Sequence, residues 1–90
     1  MEDKMREFTH TVNAENGLHA RPAGALANCA KQFKSTVTLK TAKKDADAKR
    51  LLSIMSLGAV KGTEIKFIIE GEDENEAEKA LCDFCAEHLS

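Results

Sequence analysis

Apolar and polar residues alternate along three stretches of the chain, and this two-residue period predicts β-strands. The three stretches are residues 6–12, 35–41 and 64–70. The third has the strongest pattern, because Ile65, Phe67 and Ile69 would share one face of a sheet. A turn is predicted at Ala42–Lys43, followed by a short edge strand at Asp45–Asp47. Its charge would discourage edge-to-edge association.

Apolar stripes with helical spacing predict the helices. The first helix is predicted to begin near Arg21, because Pro22 suits a first helical turn, where its missing N–H costs no hydrogen bond. Its stripe consists of Ala23, Leu26, Ala30 and Phe33. A short second helix is predicted at residues 50–57, with Gly58 as a C-cap.

A third helix is predicted near the end of the chain. Asp73 and Glu76 resemble a capping box at its start. Its stripe consists of Ala77, Leu81, Phe84, Cys85 and His88. The element order β-α-β-β-α-β-α predicts an α+β fold with the helices on one sheet face. The 90 residues are expected to form a single domain, 1–90.

The net charge of −2 hides an uneven distribution. Residues 17–63 carry nine Lys and Arg against two Asp, a net charge of +7. Residues 64–90 carry nine Asp and Glu against two Lys, a net charge of −7. This asymmetry predicts one positive face, with a solvated surface of mixed sign as the alternative. Nucleic acid is not expected as a partner, because the whole chain is acidic and has no Trp or Tyr for stacking.

Composition also bears on the cellular compartment. No apolar run approaches the roughly 18 residues of a membrane span, so no membrane insertion is expected. Residues 1–7 are polar and do not resemble a signal peptide. Cys29, Cys82 and Cys85 are odd in number and irregularly spaced, which argues against a disulfide scaffold. We expect these cysteines to be buried small apolar side chains in a cytoplasmic protein, the alternative being a metal site completed by His10 or His88.

The segment from Asn16 to Gly24 carries the candidate chemistry. A strand ends before it, Gly17 turns the chain, and a helix starts close to His19. The unpaired N–H groups of a first helical turn bind anions such as phosphate, and Arg21 can add charge-assisted hydrogen bonds. A neutral imidazole is a nucleophile, so this arrangement fits a phosphoryl acceptor. On these residues alone, a capping or surface role for His19 stays open.

Three blocks of sequence resemble the histidine-containing phosphocarrier proteins, HPr, of the bacterial sugar phosphotransferase system. The first is Gly-Leu-His-Ala-Arg-Pro-Ala at residues 17–23, which is similar to the active-site signature of that family. The others lie at residues 55–65 and 70–74, and all three are in register with the family. The resemblance implies an open-faced β-sandwich, in which three helices cover one face of a four-stranded antiparallel sheet.

The resemblance also implies a function. Enzyme I, charged by phosphoenolpyruvate, would phosphorylate His19 at Nδ1, and phospho-His19 would pass the group to an enzyme IIA component. Arg21 and the backbone N–H groups of Ala20 and Arg21 would stabilise the phosphoryl group, with no metal and no cofactor. Such a protein is a stoichiometric carrier rather than a stand-alone enzyme. The alternative is a regulatory relative that is phosphorylated at His19 but acts in signalling rather than sugar transport.

Family members present an apolar patch ringed by cations beside the histidine, through which acidic partners would dock. The matching apolar positions are Ala20, Gly24, Leu51, Leu52 and Met55, and the matching cations are Lys31, Lys49 and Arg50. Electrostatic attraction at such a surface favours fast encounter and short-lived complexes. The resemblance gives no reason to expect an oligomer, and we expect a monomer.

The chain departs from the family at two places. Arg50 stands where many Gram-positive relatives have a serine phosphorylated by a dedicated kinase, so that regulation is not carried over. Ala42–Lys43 replaces the usual Asn-Gly turn, which affects the shape of the turn and not the chemistry of the site.

A third hypothesis for the function also remains open. The chain would then be a small interaction or metal-binding domain in which His19 is incidental.

Overall fold

The computed structural model describes residues 5–89, which contain four strands and three helices in the predicted order. The strands are β1 (Met5–Thr11), β2 (Thr36–Lys40), β3 (Asp45–Asp47) and β4 (Glu64–Glu70), and the helices are α1 (Ala20–Lys31), α2 (Leu51–Met55) and α3 (Glu74–His88). The strands form one antiparallel sheet in the order β1-β4-β2-β3. The predicted α+β fold, an open sheet with three helices, is confirmed.

The alternating apolar residues of β4 form the centre of the core. Ile65, Phe67 and Ile69 are fully buried, as their pattern predicts. Phe67 stacks on Phe8 of β1 with ring centroids 4.6 Å apart. Leu26, from the stripe of α1, is also fully buried, so the sheet and the helices share one core. The burial of these large side chains contributes roughly 1.5–3 kcal/mol each to folding.

The second helix is shorter than its sequence pattern predicts. Arg50 is its N-cap and has an extended backbone, and the helix ends at Met55 instead of Leu57. Gly58 donates its backbone N–H to the carbonyl of Met55 at 3.2 Å and has a φ of 60°. Leu57 likewise donates its N–H to the carbonyl of Ile54 at 3.1 Å, so both bonds reach back three residues instead of four and the helix tightens into a turn after Met55.

The predicted capping box of α3 is wrong. Asp73 is the N-cap by position, but its carboxylate makes no bond within the helix. It accepts instead from the backbone N–H of Lys34 at 2.8 Å, from the N–H of Ser35 at 2.9 Å and from the Ser35 hydroxyl. The Ser35 hydroxyl and then the Lys34 amide hold the pKa of Asp73 below its ordinary value. Asp73 therefore joins the start of β2 to the start of α3.

We expect Asp73→Ala to lower the urea midpoint of unfolding at pH 7, because two backbone donors and a buried serine lose their acceptor. A carboxylate with a lowered folded-state pKa stabilises the protein above the unfolded value near 4 and loses that effect as pH falls through the folded value. The difference from the unaltered protein should therefore shrink below about pH 4. Glu72→Ala, which removes a neighbouring exposed carboxylate, is the control. A pH-independent difference would contradict the role of the charge.

The cysteines are less uniformly buried than predicted. Cys85 is buried, whereas Cys29 and Cys82 are half-buried, and no disulfide joins the three in the described part of the chain. Burial raises the pKa of Cys85 to about 12 and also raises the pKa of Cys29 and of Cys82. Since the thiolate is the reactive form, this environment keeps the thiols unreactive near neutral pH.

Candidate functional site

The loop before α1 is fixed by backbone contacts on both sides of Gly17. Gly17 donates its N–H to the carbonyl of Ala14 at 3.0 Å, and Leu18 donates to the carbonyl of Ala59 at 2.9 Å. Gly17 has a φ of 68°, and a Cβ at this position would lie 2.6 Å from the Ala59 oxygen. Only glycine fits this close approach, because any side chain would collide with the backbone of the α2–β4 loop.

His19 occupies the N-cap of α1. Its backbone is extended, and its carbonyl accepts the first helical hydrogen bond from the Ala23 N–H at 2.9 Å. The imidazole makes no capping hydrogen bond, and the residue is exposed. Since the neighbouring Leu18 is buried, the backbone at this position is anchored while the ring faces solvent. The site therefore combines a fixed position with an accessible nucleophile.

The first turn of α1 offers two backbone donors. Ala20 and Arg21 are its first two residues, and the N–H groups of a first turn have no carbonyl one turn earlier to bind. Pro22 has no N–H, and the N–H of Ala23 is already bonded to His19. The donors that remain are those of Ala20 and Arg21, the two residues predicted to hold a phosphoryl group through their backbone.

His19 and Arg21 line one open groove of about 420 Å³. The lining residues within 5–89 are Ala14, Asn16, His19, Arg21, Pro22, Ala25 and His88. Three of these side chains are basic, one is an amide, and none is a carboxylate. This described lining suits an anion, because it brings no negative charge to the groove.

Two polar residues of this groove are absent from the predicted site. Asn16 lies three positions before His19, at the start of the segment with the candidate chemistry, and its place in that segment could have indicated it. His88 comes from the end of α3 and was predicted to belong to that helix's apolar stripe. It is exposed instead, and no local sequence pattern connects it to His19.

The predicted partner residues are only partly brought together. Five of them line a second open groove of about 430 Å³, namely Lys31, Lys49, Arg50, Leu51 and Leu52. Ala20, Gly24 and Met55 do not line it, although Ala20 and Met55 are exposed and Gly24 is half-buried. Leu52 exposes 81% of its surface, the largest fraction among the exposed large apolar residues of the described chain. Leu51 and Met55 each expose 40% of their surface, so none of the three apolar side chains predicted for this patch on α2 is buried in the core.

The three cations of this second groove are not equivalent. Lys49 is half-buried, and its ammonium group donates to the carbonyl of Phe33 at 2.9 Å. It thereby binds the chain just beyond the end of α1, where a cation is favourable. Lys31 and Arg50 are exposed, so they are the cations best placed to meet another molecule.

Residues 5–89 contain no group of three or more His, Cys, Asp or Glu side chains placed to hold a metal ion. None of the helices described here has the length and apolar character required to cross a bilayer.

The fold and the site define a class of small open-faced β-sandwich domains with an exposed histidine at the N-terminus of the first helix. The family model "PTS HPr component phosphorylation site" matches residues 6–87. The chain therefore belongs to the HPr family of phosphocarrier proteins of the phosphotransferase system.

Individual relatives agree with this assignment. The chain is 38% identical over 90 residues to the multiphosphoryl transfer protein of Salmonella typhimurium, covering 97% of this chain and 24% of that protein. The present chain therefore spans only about a quarter of the length of that relative. The histidine-containing phosphocarrier protein of Mycoplasma is 30% identical, with a TM-score of 0.90 over 93% of this chain and 96% of that one.

A regulatory relative is also similar. Crh of Bacillus subtilis, described as a catabolite repression HPr, is 37% identical with a TM-score of 0.73. The match covers 90% of this chain and 93% of that one. The relatives of this chain thus include proteins with names that describe phosphoryl transfer and a protein with a name that describes catabolite repression.

Proposed function

We propose that this protein is a phosphocarrier that accepts a phosphoryl group on His19 from Enzyme I and passes it to an enzyme IIA component. The observation that carries the proposal is the groove around His19. An exposed imidazole faces it together with Arg21, and two unbonded backbone N–H groups begin the adjacent helix. Family membership supports the same chemistry, because residues 6–87 match the phosphorylation-site model.

The proposed transfer needs few groups. Nδ1 of His19 attacks the phosphorus of phospho-Enzyme I, a P–N bond forms, and the bond to Enzyme I breaks and leaves its electron pair there. The guanidinium of Arg21 and the N–H groups of Ala20 and Arg21 offset the negative charge during transfer. In the second transfer, a nucleophile on enzyme IIA attacks the phosphorus of phospho-His19, the new bond to phosphorus forms, and the P–N bond breaks and leaves its electron pair on Nδ1. Position and charge therefore supply most of the catalysis.

The second groove is proposed as the docking surface for both partners. Leu52 offers an exposed apolar anchor, and Lys31 and Arg50 stand beside it. An acidic partner would be steered to this surface by charge and would leave quickly, because exposed ion pairs contribute little to affinity. We propose that the carrier acts as a monomer in the cytoplasm, since each turnover requires it to exchange one partner for another.

A phosphorylation assay tests the proposal. The protein is incubated with phosphoenolpyruvate and catalytic amounts of Enzyme I, and phosphoryl incorporation is followed by intact mass. We expect one phosphoryl group per chain, labile in acid and stable in base, that disappears when an enzyme IIA is added. No incorporation in the presence of active Enzyme I would refute the proposal and favour an incidental role for His19.

Arg50→Ala should lower the rate of phosphoryl transfer from Enzyme I about threefold at low ionic strength, because one exposed cation of the docking surface is lost. The difference should disappear in 1 M salt, where the screening length is only about 3 Å. Stopped-flow or quenched-flow kinetics over a salt series measure both effects. Lys40→Ala is the control, since Lys40 is an exposed cation on β2 outside this groove. Equal rates for Arg50→Ala and the unaltered protein at low salt would exclude this role for Arg50.

A regulatory carrier is the second candidate function. The similarity to Crh supports it, because the two chains share 37% identity and most of their length. Both functions use a phosphorylated His19, so the in vitro assay does not separate them. Complementation does, because a transport carrier restores growth on sugars to a strain that lacks its own phosphocarrier, and a purely regulatory protein does not.

A further inference from the structure

His88 is the one histidine other than His19 that lines the groove of the proposed phosphoryl site. It reaches the groove from the last residue of α3, whereas His19 and Arg21 belong to the start of α1. The two helices pack against each other, which brings these ends of the chain together. The groove therefore receives basic side chains from two separate elements.

The position of the His88 ring is determined by packing on one side. The ring lies against Phe84 with centroids 4.5 Å apart and planes tilted by 30°, and Phe84 is itself buried. The His88 side chain keeps 49% of its surface exposed. The ring thus packs on a buried side chain, keeps about half of its surface exposed, and belongs to a residue that lines the groove.

We propose that His88 is a third phosphoryl-binding side chain, which in its protonated form contacts the phosphoryl group carried on His19. This inference rests on the proposed function of His19. The described lining of the groove contains no carboxylate. The nearest described carboxylate is that of Glu87, which lies outside the lining with its Oε1 atom 3.9 Å from Nε2 of His88, beyond hydrogen-bond distance. A phosphoryl group on His19 carries up to two negative charges, and Arg21 is the other cationic side chain of the described lining that could balance them.

Several charged or titratable groups lie near His88 on its own helix and on the elements packed against it. On its own helix, Glu87 lies nearest, with its Oε1 atom 3.9 Å from Nε2 of His88. From α1, the groove presents Arg21 and the His19 ring. From β1, His10 approaches the same end of α3 through a 3.3 Å contact with the carbonyl of Leu89. A phosphoryl group would add negative charge to this surrounding and favour the protonated imidazole.

The experiment measures the equilibrium between phosphorylated and free protein. Catalytic Enzyme I is supplied with a ratio of phosphoenolpyruvate to pyruvate at which about half of the unaltered protein is phosphorylated at pH 6. His88→Gln should lower the ratio of phosphorylated to free protein about threefold at pH 6, as expected for an exposed charge contact. His88→Lys, which keeps a cation but not the aromatic ring, should retain most of the phosphorylated fraction.

The pH series separates a phosphoryl contact from a packing role. At pH 8.5, where an ordinary histidine is neutral, the unaltered protein should match His88→Gln, while His88→Lys should remain about threefold higher. Lys79→Gln, which removes a positive charge from α3 nine residues earlier, is the matched control and should change nothing. If His88→Lys and His88→Gln are equally impaired, the ring acts only by packing on Phe84 and the proposal fails. If the unaltered protein takes up no phosphoryl group at all, the proposed function fails first; if it does and His88→Gln is unchanged, only His88 is excluded.

Discussion

His19→Ala is expected to abolish phosphoryl incorporation from Enzyme I and phosphoenolpyruvate. Among the described residues that line its groove, the only other side chain with a nucleophilic atom is His88, and the imidazole of His19 stands beside the two N–H donors at the start of α1. Removal of the ring leaves the anion-binding groups but no acceptor atom for the covalent bond. Intact mass should show no added phosphoryl group under conditions in which the unaltered protein is fully modified.

Two controls make this result specific. His10→Ala should be phosphorylated normally, since His10 lies outside the groove. The thermal midpoint of His19→Ala should stay close to that of the unaltered protein, because the exposed ring makes no capping hydrogen bond. A phosphoryl group that persists in a folded His19→Ala variant would move the acceptor to another residue, of which His88 is the nearest candidate in the groove.

Gly17→Ala should destabilise the protein by about 3 kcal/mol and slow phosphoryl transfer. A residue with a side chain pays about 1–2 kcal/mol for the left-handed conformation at Gly17. The added Cβ would also lie 2.6 Å from the Ala59 oxygen and 2.8 Å from the Val60 Cα, so backbone must move. Because His19 lies only two residues after Gly17, that movement would shift the imidazole relative to the first turn of α1. Urea unfolding measures the stability, and the Enzyme I assay measures the transfer rate.

Gly58→Ala is the matched control for Gly17→Ala. Gly58 has a similar φ of 60°, but a Cβ there would meet nothing within 4 Å. We expect this variant to lose only the conformational part, about 1 kcal/mol, and to transfer the phosphoryl group at the normal rate. If the two variants were equally destabilised, the close approach of Gly17 to the α2–β4 loop would not matter, and the loop's role in holding His19 would need another explanation.

Much of the fold follows from local patterns. The alternation in β4 predicts its buried face, and even the short charged strand at Asp45–Asp47 is correctly placed. These elements are readable because each buries one regular face of the chain. The predicted end of α2 lies two residues too late, because the backbone bonds of Leu57 and Gly58 reach back three residues instead of four, a change that the apolar pattern does not mark.

The candidate site is readable only where its residues are neighbours in sequence. His19 and Arg21 lie in one motif, and the structure brings both to one groove. His88 and the role of Asp73 depend on contacts between distant segments, and a local pattern favoured other interpretations for both. An aspartate before a helix resembles a cap, whereas the pairing of β2 with β4 brings the N–H groups of Lys34 and Ser35 to its carboxylate instead. Tertiary contact overrides local preference at these positions.

Pro22 affects how tightly the start of α1 can bind a phosphoryl group. An ordinary residue there would present a further backbone donor to an anion at the start of α1, whereas proline leaves only those of Ala20 and Arg21. For the carrier proposed here, a deep energy minimum would be a disadvantage, since every group received has to leave again within one short encounter. By removing one backbone donor, the proline ring weakens the binding of the phosphoryl group at this site, and a weakly bound group is transferred to the next partner more easily.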